Sequence, residues 1–239
     1  INLDTFKRWL SYRALETSST GEAAPFTHAG GDKLSFACLE NGILMSSAAG
    51  AHYYSFSGEL YAEEVLSMEN PVLSASNRSG VVYDAGGQSL FLFRGTQEVF
   101  DLTLEGDADL LSARVNDSGW LAVTAQQSGY KGSVTVYNVN STSRKEIIQL
   151  NFSSVFVADA AVSPDSKTVA VITIGQENGS FFSQLLLYPV DSSEPSATLS
   201  LGNLAVLDLD YEAAQVIYAA YAASQEEYGQ ILGNLDTYE

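Results

Sequence analysis

Apolar and polar positions along this chain alternate over short runs, and clusters of turn residues cut one run from the next. "SARVNDSGWLAVTA" (Ser112 to Ala125) and "AAVSPDSKTVAVIT" (Ala160 to Thr173) share one layout: strand, polar turn, strand. Their turns, Asn116-Asp117-Ser118-Gly119 and Ser163-Pro164-Asp165-Ser166, use residues that fix φ, bond their own backbone or reach φ > 0. The layout recurs at Leu34 to Ser47 and Pro71 to Asp84, with a worn copy at Ala205 to Ala222. After each of the first four pairs comes an aromatic-rich third strand: "AHYYSF", "QSLFLF", "GSVTVYNV" and "FFSQLLLYPV". A fourth strand follows: "ELYAEEVL", "EVFDLTL", "RKEIIQLN" and "SATLSL".

Four short strands per copy predict an antiparallel meander. The copies repeat at about forty to fifty residues, and one four-stranded sheet cannot bury both of its faces alone. The expected fold is therefore all-β, a β-propeller of about five four-stranded blades. Ala113, Ala122, Ala161 and Ala170 suit crowded inner strands, while Tyr53, Phe91, Tyr137 and Tyr188 suit the wide interfaces between blades. The fifth copy is short of a strand, its third being "YGQILGN", and "APFTHA" (Ala24 to Ala29) belongs to no copy. Either that segment closes the ring, with Phe26 in a sheet beside the strand near Ile231, or the chain is part of a larger propeller. Ahead of it, Leu3, Phe6, Leu10 and Leu15 fall on one face of a short helix that Asp4 can cap. That helix either packs on the propeller rim or forms a stalk near a membrane. Residues 1–23 are thus expected to be helix and linker, and residues 24–239 the propeller.

Charge and composition narrow the partners. Eleven basic residues against 29 acidic ones give a net charge of -18, which repels phosphate backbones and anionic headgroups, so no nucleic acid is expected. With one cysteine, Cys38, no intramolecular disulfide can form. No apolar run approaches the ~18 residues of a membrane-spanning helix. The chain starts at Ile1 without a methionine, which implies an upstream segment where a signal or membrane anchor would lie.

Several stretches carry a resemblance: "SMENPVL", "VVYDAGGQSLFLF", "LLSARVNDSGWLAVTAQQSGYKGSVTVYN", "VADAAVSPDSKTVAV" and "EPSATLSLGNLAVLDLDY". Together they resemble an uncharacterised bacterial family, the domain of unknown function 5711, over most of residues 26 to 211. The resemblance implies a membrane-anchored protein with a propeller-like domain outside the cytoplasm. It implies no known reaction and no catalytic residues.

The chain has no Gly-rich phosphate loop with lysine, no G-x-G-x-x-G, no H-E-x-x-H, no C-x-x-C and no G-x-S-x-G. No cofactor, no metal and no catalytic residue is expected. His28 and His52 read as core histidines on strands. "EGDAD" (Glu105 to Asp109) offers alternating carboxylates for calcium, but a solvated turn between blades is the better reading. Asp208 and Asp210 alternate on the first strand of the fifth copy; carboxylates near a propeller axis would suit a carbohydrate-active enzyme, the runner-up function. The candidate contact loops are "YDAGGQ", with Tyr83, Asp84 and Gln88, and "QSGYKGS", with Tyr130 and Lys131. Both join a second strand to a third and so fall at one end of the propeller. The favoured function is a non-catalytic extracytoplasmic scaffold for a protein or cell-wall ligand.

Overall fold

The first turns of the third and fourth copies close through their own side chains. Asn116 Oδ1 accepts from the backbone N–H groups of Ser118 at 3.0 Å and Trp120 at 2.9 Å, and Gly119 takes the left-handed conformation (φ 76°). In the matching turn Ser166 stands in the same region (φ 60°), and Ser163 Oγ accepts from Thr168 N–H at 3.0 Å. The computed structural model describes residues 33–142, 145–212, 215–222 and 230–234. Among them are five antiparallel sheets and no helix, hence none long and apolar enough to cross a membrane.

The first sheet contains β1 (Ser35–Leu39), β2 (Gly42–Ser47), β3 (Gly50–Ser55) and β4 (Leu60–Val65). The second has β5 (Pro71–Ala75), β6 (Ser79–Asp84), β7 (Ser89–Arg94) and β8 (Gln97–Thr103). The third has β9 (Asp109–Val115), β10 (Trp120–Gln126), β11 (Gly132–Asn138) and β12 (Glu146–Phe152). The fourth has β13 (Phe156–Val162), β14 (Thr168–Glu177), β15 (Ser180–Pro189) and β16 (Ala197–Ser200). The fifth has β17 (Leu204–Glu212), β18 (Gln215–Ala222) and β19 (Gln230–Asn234). Strands pair in chain order in every sheet. The helix expected over Asn2–Leu15, the closing strand Ala24–Ala29, Phe26 and His28 lie outside the described residues.

Sheets pack face to face in sequence order. Val81, Leu90 and Leu92 of the second meet Leu110, Leu121 and Tyr137 of the third. Val134 and Val136 of the third meet Val169, Val171 and Tyr188 of the fourth. Alternation explains this: Val72, Tyr83, Leu90 and Leu102 share one face of the second sheet, and Leu73, Val82 and Phe91 the other. The aromatic residues fill the joints as expected. Tyr53 packs edge-on to Phe93 at 6.2 Å and Phe100 lies 5.3 Å from Tyr137. Tyr53, Tyr137 and Tyr188 are buried, whereas Phe91 is half-buried.

Candidate functional site

Inner strands β1, β5, β9, β13 and β17 stand around a common axis and line a cavity of about 550 Å³. Its mouth lies toward the turns that join first and second strands, and these turns are bonded into a belt. Glu40 N–H donates to Asn77 O at 2.7 Å, and Asn77 Nδ2 donates to Asp117 Oδ2 at 3.3 Å. Asn116 Nδ2 then donates to Ser163 O at 2.8 Å and Ser166 Oγ at 3.0 Å. Burial works to raise the Asp117 carboxyl, but hydrogen bonds from Ser76, Asn77 and Arg78 outweigh it and hold it below its ordinary value. The Tyr211 phenol, also on the cavity wall, is raised by burial and by the charge of Asp165.

Deeper along the axis, Asp159 is 2% exposed and joins three inner strands. Its Oδ1 accepts from Ser112 Oγ at 2.8 Å and Ala160 N–H at 2.9 Å; its Oδ2 accepts from Arg114 Nε at 2.7 Å and Leu209 N–H at 3.3 Å. A bulge before it, between Val157 and Asp159, turns the carboxylate to these partners. Asp208 holds the same place in β17, directly after a bulge and opposite Ala219. Asp159 therefore acts as a tie between sheets, a role the sequence reading missed. The signal was a lone carboxylate amid small apolar residues on an inner strand.

The other end carries the predicted contact loops. Tyr83 is buried in the core between the second and third sheets and offers no surface to a partner. Asp84 Oδ1 accepts from Asn70 N–H at 2.6 Å, and its Oδ2 from Glu69 N–H at 3.2 Å. Gln88 Nε2 donates to Gly106 O at 2.9 Å, while Gly86 N–H donates to Leu110 O at 2.7 Å. The 83–88 loop thus clasps the link that enters the third sheet. Asp107 in that link accepts from Ser128 Oγ, and this bond lowers its carboxyl below the ordinary value.

The 127–131 loop faces outward. Tyr130 is 42% exposed, and Lys131 Nζ donates to Ser154 O at 3.0 Å and lies 5.1 Å from the ring centre of Phe156. Phe156 is itself 51% exposed. Next to it the β14–β15 hairpin runs on past its neighbours: Phe156 pairs with Ile174, and β16 reaches only Gln184, so among the described residues Gly175 to Phe182 pair only with one another. Asn178 (φ 50°) and Gly179 (φ 81°) form the tip, the mirror-image turn that fits strand twist. Phe182 lies on Gly175, where a Cβ would come within 2.2 Å of the ring, and Phe181 is 55% exposed on the other face. The sequence signal was present, an Asn-Gly pair shortly before two phenylalanines at the start of the aromatic-rich third strand.

His52 is buried and stacked on Tyr54, with Nε2 3.8 Å from Glu63 Oε2, so its environment is that of a core residue. Among the described residues no three His, Cys, Asp or Glu side chains are grouped to hold a metal.

Sheets radiating from an axial cavity define a β-propeller. The chain belongs to a family of unknown function, DUF5711, whose pattern matches residues 11–208. Solved propellers share the architecture at low identity. The β-propeller domain of Cps50 (Swd1) from Myceliophteria thermophila is 9% identical, with a TM-score of 0.58 over 87% of this chain and 74% of that one. Hydrazine synthase from Kuenenia stuttgartiensis is 14% identical, with a TM-score of 0.57 over 89% of this chain and 65% of that one. Kluyveromyces lactis Hsv2p is 10% identical, with a TM-score of 0.53 over 90% and 76%. This chain therefore spans about two thirds to three quarters of the length of these proteins. No curated protein sequence matches it.

Proposed function

We propose that this chain is a non-catalytic binding module that works outside the cytoplasm, held at the cell membrane by a segment beyond this sequence, and that its ligand is a protein or cell-wall component. One observation carries the reading. Among the described residues, every exposed large apolar side chain except Leu60 lies in the half of the molecule that bears the 127–131 loop and the β14–β15 tip. Scattered exposed apolar groups are ordinary, but their concentration at one end is what contact surfaces show. The runner-up, a carbohydrate-active enzyme, needs an axial carboxylate free to move a proton. Asp159 is buried with both oxygens bonded, which argues against that role for it.

Hydrogen exchange in the presence of a wall and membrane fraction from a bacterium of the family tests the two readings. Protection confined to residues 127–131, 154–156 and 175–182 is the expected result. Protection around residues 74–77 and 114–117 on the cavity wall, with release of sugar, would replace the binding module by the enzyme.

A further inference from the structure

The exposed rings of Tyr130, Phe156 and Phe181 lie along one line of linked elements at the hairpin end. Asp107 is bonded to Ser128, two residues before Tyr130; Lys131 lies over Phe156; Phe156 pairs across the sheet with Ile174, which leads to the hairpin tip. Among the described residues, the exposed charges along this line are the four carboxylates Glu105, Asp107, Asp109 and Glu177 against one cation, Lys131. The two lysines of this end are held by backbone, Lys33 by the Glu69 carbonyl and Lys131 by that of Ser154. Arg78, Lys145 and Lys167 stand on turns of the opposite end, and Arg94 ends β7 there. Aromatic side chains bordered by more carboxylates than cations form a surface complementary to a basic chain with an apolar anchor.

We infer that this end binds a cationic peptide segment, an apolar side chain of it resting against Phe181, Phe156 and Tyr130 and its lysines or arginines against Glu105, Asp107, Asp109 and Glu177. The inference rests on the binding-module reading and names the partner's chemistry. An extended peptide fits the shape: the β14–β15 tip projects beyond its neighbours, so among the described residues both of its edges have backbone groups without a sheet partner over Gly175 to Phe182. Because Gly175 lets Phe182 lie on the backbone, the hairpin presents Phe181 without a second ring beside it on that face.

The probe is a labelled peptide of lysine, glycine and serine with one phenylalanine, added to the whole chain and followed by fluorescence anisotropy. Phe181→Ser and Tyr130→Ser should each weaken binding about tenfold. A peptide with glutamate for lysine, or serine for its phenylalanine, should lose a similar factor, and higher salt should weaken the complex. Asp191→Asn with Glu194→Gln, at the opposite end, should change nothing. Non-specific attraction to an acidic protein would reverse that pattern, the opposite-end variant weakening binding as much as Phe181→Ser, and would overturn the inference. So would equal binding of the glutamate peptide, or no binding by the lysine peptide. Both phenylalanine and tyrosine are exposed, so their replacement is not expected to unfold the chain; unchanged unfolding midpoints verify this, and Glu177→Lys is an independent surface variant. If the lysine peptide fails while exchange protection with the wall fraction still maps to residues 175–182, the binding module stands and only the partner class is wrong.

Discussion

Arg114 in the third sheet and Asp159 in the fourth meet at 2.7 Å, the guanidinium half-buried and the carboxylate almost wholly so. The same carboxylate accepts from Leu209 N–H of the fifth sheet. One side chain therefore holds three inner strands at the axis. Removing one partner of a buried pair leaves the other uncompensated, which costs about 3 to 5 kcal/mol. Asp159→Ala should lower stability by that order, measured as urea midpoint, and Ser112→Ala by much less. Loss of under 1 kcal/mol in Asp159→Ala would show that the tie is not made in solution.

Gly119 tests the turn chemistry. Its φ of 76° disfavours any side chain, and an added Cβ would come within 2.6 Å of Arg94 Nη1 and 2.9 Å of Asn140 Nδ2. Gly119→Val should destabilise by about 1 kcal/mol or more, a fall of at least about 2–4 °C in Tm. An unchanged melting temperature would contradict the turn.

The joint between the first two sheets should respond to pH. Burial, then the hydrogen bond and charge of Glu64, then the charge of Asp101, push the Glu98 carboxyl up from 4.5 to about 7. Because the folded value lies above the ordinary one, the proton stabilises the folded state at low pH, and that contribution is lost as pH rises through about 7. The native chain should therefore lose stability between pH 5 and pH 8 relative to Glu98→Gln, which carries no proton to lose. Parallel profiles for the two proteins would rule out the shared proton.

Chelation should leave thermal unfolding where it was. Asp107 of the acidic link is bonded to Ser128, and Gly106 and Ala108 give their carbonyls to Gln88. A fall of several degrees that calcium reverses would instead make the 105–109 link a cation site.

Local sequence determined the repeated units of this protein. Turn residues at Asn116 to Gly119 and Ser163 to Ser166 fix their chain reversals through short-range bonds and positive φ, and alternation marks both faces of each sheet. Those are interactions within a few residues, so they are legible along the chain. The tertiary structure decided which of the alternating positions meet. Ser112, Arg114 and Asp159 lie about one repeat apart, and only the bulge in β13 and the packing of neighbouring sheets bring them together. Tyr83 and Phe181 both follow the aromatic, strand-like pattern. One became core because the third sheet covers it, and the other stayed exposed because β13 and β16 end before the hairpin does. Coverage depends on the lengths and placement of strands elsewhere in the chain, and periodicity within one strand carries no record of them.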